Sequence, residues 1–241
     1  ADLLPRDVTY IHWYWSFGEH LDDEFHARGM KAVFGNFNAV GCVGYKRRME
    51  RGILGGIVSN WGSLSPEYMQ RNLQYFNLVS TAYALCRPDY DTDKRDTLIQ
   101  ASYEELFGRY LKDIKHPIFV KHRVHANIKY KPFHCGIFIE DEKYILGDYK
   151  LTYRDGTTAA LPLKYGTNVG PVNAEYGEAA VRETSYSTLP ESTADGLTYL
   201  HAYENPYPDK AIEKIEYLPK AGKEDMKVSY EFWPERPLLK V

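Results

Sequence analysis

Residues 53–86, ILGGIVSNWGSLSPEYMQRNLQYFNLVSTAYALC, constrain the fold of this chain more than any other stretch. They open with a short apolar run, Ile53, Leu54, Gly55, Gly56, Ile57 and Val58, which reads as a buried strand. The run ends in Ser59, Asn60 and Trp61. A loop follows, and Ser65, Pro66 and Glu67 supply an N-cap, a first helical position and an acid in the first turn. Met69, Leu73, Phe76, Val79, Tyr83 and Cys86 then recur every three or four residues, as on one face of a helix. Arg87 and Pro88 end it. The stretch is a β-loop-α unit with a large aromatic at the carboxyl end of its strand, the end where α/β proteins hold ligands.

The same pattern occurs twice upstream. Residues 8–15 (VTYIHWYW) are β-rich, and residues 19–28 can form a helix closed by Gly29. Residues 31–37 (KAVFGNF) read as a second strand, followed by a short helical stretch, 45–51, closed by Gly52. Alternating β and α elements predict a parallel sheet. Three such strands cannot close a barrel of eight, and a parallel sheet needs cover on both faces. The expectation is therefore the last three βα units of a (β/α)8-type barrel, with the sheet covered by upstream sequence or by another copy of the chain.

A helix over about residues 93–114 follows, with Ile99, Tyr103, Leu106, Phe107 and Tyr110 on one side and a stop at His116 and Pro117. Beyond it the pattern changes to period-two alternation. Residues 119–128, 134–140, 144–154, 157–164, 180–186, 197–204, 212–218 and 226–233 all read as strands. Asp155 and Gly156, between two of them, are a strong hairpin signal. Short strands with frequent turns and no helices predict an antiparallel β-sandwich or jelly roll. The expected organisation is a partial barrel at 1–92, a linking helix at 93–116 and a β-sandwich at 117–241.

Composition narrows the function classes. The net charge of −3 leaves no basic footprint for nucleic acid, and Lys46, Arg47 and Arg48 read as the solvated face of a short helix. No stretch approaches the roughly 20 apolar residues of a membrane span, and the amino end lacks a signal-peptide pattern, which leaves the compartment open. Cys42, Cys86 and Cys135 cannot pair completely and are read as reduced, with Cys86 on a core stripe. His122, His125, His134 and Cys135 have residue types that bind zinc, but positions 122 and 125 of one strand point to opposite faces, so no metal site is expected. Gly52, Gly55 and Gly56 lie before and inside a strand, not between strand and helix, so they form no phosphate loop, and no cofactor is expected.

Aromatic residues make up 15% of the chain, with 21 tyrosines. They fit either a β-rich core or surfaces that stack on sugar rings. Position favours the second reading for a few of them. Trp13, Trp15 and Trp61, with Asn36 and Asn38, fall at or just beyond the carboxyl ends of the three consecutive strands. Indoles offer a broad face to a pyranose, and amides both donate to and accept from hydroxyls. These five residues are the candidate substrate-binding set. Asp22, Asp23 and Glu24 form the one tight acidic cluster of the first part and are expected to face solvent. No pair of carboxyl groups placed for glycoside hydrolysis emerges, so no catalytic residue is assigned.

Two runs carry a family resemblance. LTYRDGTTAALPLKYGTNVG (151–170) and AYENPYPDKAIEKIEYL (202–218) resemble the galactose-binding-like β-sandwich modules of bacterial glycoside hydrolases. VTYIHWYW, KAVFGNFN and ILGGIVSNWG resemble the last strands of family 20 β-N-acetylhexosaminidase barrels. Those enzymes usually carry Trp-x-Glu on the final strand, whereas Gly62 and Ser63 follow Trp61 here. The resemblance implies the carboxyl-terminal segment of a glycoside hydrolase, with carbohydrate as its partner. That segment would contribute sugar-binding residues but not the catalytic pair. A noncatalytic carbohydrate-binding protein and a purely structural bracing segment are the alternatives.

Overall fold

A computed structural model describes residues 3–66, 69, 74–87, 90, 94–125, 133–134, 137–138, 144–173 and 187–233. The strand expected over 180–186, parts of the strands expected over 119–128 and 134–140, Cys135 and part of the helix start near Glu67 lie outside these residues. The chain divides into two compact units, one comprising residues 1–63 and 74–102, the other residues 64–73 and 103–241.

The first unit holds a three-stranded sheet of β1 (Thr9–His12), β2 (Lys31–Phe34) and β3 (Ile53–Gly56), ordered β1-β2-β3 with both pairs parallel. Helix α1 (His20–Ala27) lies between β1 and β2 in the chain, and α2 (Tyr45–Glu50) between β2 and β3; α3 (Gln74–Cys86) comes after them. One face of the sheet is buried through His12, Ala32, Phe34 and Ile53. On the opposite face Ile11 and Leu54 are exposed, with Val33 between them in register. Packing of the buried face is aromatic. Trp15 lies 5.8 Å from Phe34 and 5.4 Å from Phe37, and Phe37 lies 5.3 Å from Tyr45, ring centre to ring centre. Such pairs contribute about 0.5–1.5 kcal/mol each beyond the area they bury. On α3 the buried side chains are Phe76, Ser80, Thr81 and Ala84, so Cys86 is exposed rather than on the core stripe.

Gly56 makes the aromatic packing sterically feasible. A Cβ at this position would stand 2.2 Å from the Phe37 ring, and Phe37 is buried among its neighbours with no room to withdraw. Gly56→Ala is therefore expected to destabilise the chain by about 1–3 kcal/mol, the usual cost of overpacking a filled core. A denaturant midpoint unchanged from the parent protein would contradict this account of Phe37.

Among the described residues the second unit contains two antiparallel sheets and a short ribbon. One sheet is ordered β12 (Val228–Trp233), β4 (Pro117–Val124), β10 (Gly196–Glu204), β9 (Thr188–Thr193). The other is ordered β11 (Ile212–Pro219), β7 (Ile145–Tyr153), β8 (Thr158–Lys164). The ribbon pairs β5 (Phe133–His134) with β6 (Ile137–Phe138). Asp155 and Gly156 turn β7 into β8: Gly156 adopts φ 85°, and the Asp155 carboxylate accepts from the Thr157 N–H at 2.9 Å. The two sheets share one apolar cluster, with Ile118, Val120 and Tyr199 from the first and Leu146, Tyr149 and Leu163 from the second. Tyrosine hydroxyls at its margin reach backbone acceptors, Tyr199 to Pro171 at 2.7 Å and Tyr203 to Pro162 at 3.0 Å. Phe119 and Ala202, cross-strand partners on the other side of the four-stranded sheet, are buried as well.

Helix α4 (Arg95–Asp113) begins in the first unit and ends in the second. Its expected stripe is buried at Ile99, Tyr103, Leu106 and Phe107, and the Tyr110 hydroxyl donates to the Ala202 carbonyl at 3.0 Å. Past the helix end, the Lys115 and His116 N–H groups both bond the Glu204 carboxylate.

The expected fold class is overturned. The described residues are mostly sheet, with four α-helices and three sheets of three or four strands; they are not three βα units of a (β/α)8-type barrel followed by a β-sandwich. Two physical reasons stand out. Each strand of the parallel sheet is four residues long, because the aromatic residues read as strand leave it: Trp13 to Trp15 form a turn, and β2 stops at Phe34 before Gly35 and Asn36. The helices that follow β1 and β2 have eight and six residues, short for the crossovers of a barrel. In the second part, β9 extends the four-stranded sheet from a segment with little alternation, TLPEST.

Candidate functional site: a tryptophan cluster at the sheet end

Beyond the carboxyl ends of β1, β2 and β3 the five candidate residues take different roles. Trp13 lies over Gly35, where a Cβ would come within 3.0 Å of its ring and 2.6 Å of Ile11. It thus occupies the exposed face of the sheet and is itself 44% exposed. Trp61 is 73% exposed, and its ring stands against Trp13 edge to face, centres 5.9 Å apart at 66°. The Trp61 indole N–H donates to the Asn36 side-chain oxygen at 3.1 Å. Asn36 adopts φ 51°, the left-handed region that asparagine tolerates better than most residues. That conformation ends the strand and carries the amide to Trp61.

Trp15 goes the other way. It is buried, stacks on Phe34, and donates its indole N–H to the Gly35 carbonyl at 2.9 Å. Asn38 caps the short turn Ala39–Gly41 by accepting the Val40 N–H at 3.1 Å. The geometry therefore joins Trp13, Asn36 and Trp61 in one exposed group and uses Trp15 and Asn38 to build the frame beneath. Asn60 shapes the loop bearing Trp61, donating to the Gly62 and Ser63 carbonyls at 3.2 and 3.0 Å.

Beneath the cluster lies a buried polar network that departs from the sequence reading. Asp22 and Arg48, expected to face solvent, are 0% and 3% exposed at their side chains. Arg48 binds Asp22 through two nitrogens, at 2.5 and 3.0 Å, and donates to the Trp15 carbonyl at 2.9 Å. Its guanidinium lies 4.3 Å from the Phe34 ring centre. His12, at the end of β1, places Nε2 3.5 Å from Asp22 and accepts the Tyr14 N–H at Nδ1. Burial lowers the His12 pKa, and the Asp22 charge only partly offsets this. Cys42 lies 3.7 Å from Arg48, yet burial pushes its thiol up to about 11, so it stays protonated and weakly nucleophilic. Asp23 and Glu24 do reach the surface, paired with Arg51 and Arg28. Helical phase was the available signal: Asp22 falls on the inner side of α1, three residues before Phe25, which lies against His12.

This site can stack and hydrogen-bond a ligand. Asp22 has both carboxylate oxygens occupied by Arg48 and is not available for general acid or base work. In the second unit, His122 is buried between the Tyr149 hydroxyl and the Asn168 carbonyl, whereas His125 bonds Ser229 at the surface. Among the described residues no group of three or more His, Cys, Asp or Glu side chains is placed to hold a metal ion. No described helix is long and apolar enough to cross a membrane. Comparison with protein-family models, with curated proteins and with solved structures found no match to this chain.

Proposed function

We propose that this chain is a carbohydrate-binding part of a glycoside hydrolase, supplying sugar-binding residues but not the catalytic carboxyl pair. The observation that carries the reading is the exposed Trp13–Trp61 pair, fixed from beside by Asn36. Large indoles left in solvent yet held by a specific hydrogen bond suit a ligand with an apolar face and hydroxyl rim. A pyranose has both. The Asn36 Nδ2 group remains positioned to donate to a ligand hydroxyl while its oxygen holds Trp61.

Two measurements test the reading. On an array of mono- to hexasaccharides the purified chain is expected to bind at least one glycan, and Trp61→Ala to weaken that binding by about 1–3 kcal/mol. The parent fold should persist, because Trp61 is a surface side chain. Aryl glycosides, p-nitrophenyl N-acetyl-β-glucosaminide among them, are expected to remain uncleaved. Binding to no glycan, or full affinity retained without Trp61, would sink the carbohydrate assignment. Turnover that depends on a carboxylate of this chain would sink the noncatalytic one.

A further inference from the structure

The turn that follows β1 displays a second aromatic pair. Tyr14 and Phe17 are 64% and 78% exposed, and their rings pack edge to face with centres 5.7 Å apart. Neither side chain contributes to the core of the unit. The turn carrying them is nevertheless tightly held. The Phe17 N–H closes it on the Tyr14 carbonyl at 3.1 Å, and the Tyr14 N–H bonds His12 at 3.3 Å. Between them Trp15 is anchored twice, by its own indole to Gly35 and by Arg48 at its carbonyl. A buried bolt at position 15 thus presents aromatic rings outward at 13, 14 and 17. Large exposed apolar groups on a fixed frame are uncommon without a ligand or partner.

We propose that Tyr14 and Phe17 form a second sugar-stacking position beside the Trp13–Trp61 site, so that the preferred ligand is an oligosaccharide rather than a single sugar. The proposal rests on the carbohydrate reading above. Trp13 and Tyr14 are consecutive, their Cα atoms about 3.8 Å apart, which sets both pairs on the one turn after β1. Each pair has the same design: one ring braces the other by its edge, leaving open aromatic surface for stacking. The polar side chains in the turn and beside it, Tyr14, Ser16 and Asn36, are uncharged and match hydroxyls.

The test uses the full chain on the same oligosaccharide array, with affinities by calorimetry for the best series at each chain length. Affinity is expected to rise about tenfold from monosaccharide to the longer members, the scale of one added aromatic contact. The double variant Tyr14→Ala, Phe17→Ala should lose that rise while binding the monosaccharide as the parent does. Trp61→Ala should weaken every length. Near-UV circular dichroism confirms that the variants keep the packed core. If glycans bind but affinity does not depend on length, or the double variant keeps the rise, the second position is refuted and the first stands. If no glycan binds, both readings fall together. Self-association of the chain that Tyr14→Ala, Phe17→Ala abolishes, with no glycan bound, would assign the surface to protein contact instead.

Discussion

Arg48→Met is expected to destabilise the protein by about 3–5 kcal/mol, the usual cost of removing one partner from a buried ion pair. The size follows from what the side chain serves. It neutralises Asp22, which is wholly buried, and satisfies the Trp15 carbonyl. Methionine fills much of the same volume over Phe34 but leaves the Asp22 carboxylate without its charge partner in an apolar surround. The companion double variant, Asp22→Leu with Arg48→Met, is expected to recover the part of the loss that comes from the unpaired Asp22 charge, while the Trp15 carbonyl stays unpaired. Urea denaturation of the three variants, closed as a double-mutant cycle, measures the coupling. A single Arg48→Met variant within 1 kcal/mol of the parent would mean that water or another cation reaches Asp22.

Acid should unfold the second unit well before its carboxylates alone would demand. His122 and His201 are both fully enclosed, and burial pushes their pKa values down to about 4 and about 3 from 6.5. The His122 ring is satisfied as a neutral group: Nε2 donates to the Asn168 carbonyl at 2.5 Å and Nδ1 accepts from the Tyr149 hydroxyl at 2.9 Å. The sign follows from proton uptake. Above pH 6.5 both states are neutral and these rings add no pH dependence. Below 6.5 the unfolded chain takes up protons that the folded chain refuses, so stability falls until the folded pKa is reached. For His122 the loss across that window is about 3 kcal/mol, at roughly 1.4 kcal/mol per pH unit. Both rings together should give a slope near 2.7 kcal/mol per unit around pH 5. Chemical denaturation at pH 7, 6, 5 and 4.5, followed by tyrosine near-UV signal, reads the slope directly. His201→Gln should roughly halve it. A stability that stays flat from pH 7 to pH 5 would show that the rings are protonated in the folded protein or reached by solvent.

Several elements were legible from local pattern. The Asp155–Gly156 turn, the α4 stripe at Ile99, Tyr103, Leu106 and Phe107, and strands near β4, β7, β8, β10, β11 and β12 follow from hairpin chemistry and from the periods 3.6 and 2. Those signals act between neighbours in sequence, so one sequence displays them. The abundant tyrosines were ambiguous in composition. Tyr149, Tyr153, Tyr165 and Tyr199 prove to be core residues, their hydroxyl ends placed to meet partners such as the Pro171 carbonyl and Asn205.

Other features depended on groups far apart in the chain. Trp13 and Trp15 share one residue pattern in sequence, two aromatic positions beyond a strand. The turn after His12 sends the first over Gly35 on the exposed face and the second against Phe34 in the core. Asp22 and Arg48 each sit in a charged run that reads as solvated surface, and their burial rests on meeting across 26 positions. Periodicity also extended the first strands through aromatics that the chain turns away from the sheet, which is why a barrel was expected where four-residue strands form a small sheet. The sequence by itself determined where the chain can be helical or extended, because backbone preference and periodicity are local. Only the tertiary structure decided which aromatics are left for a ligand and which charges are buried, because both outcomes depend on partners that folding brings together.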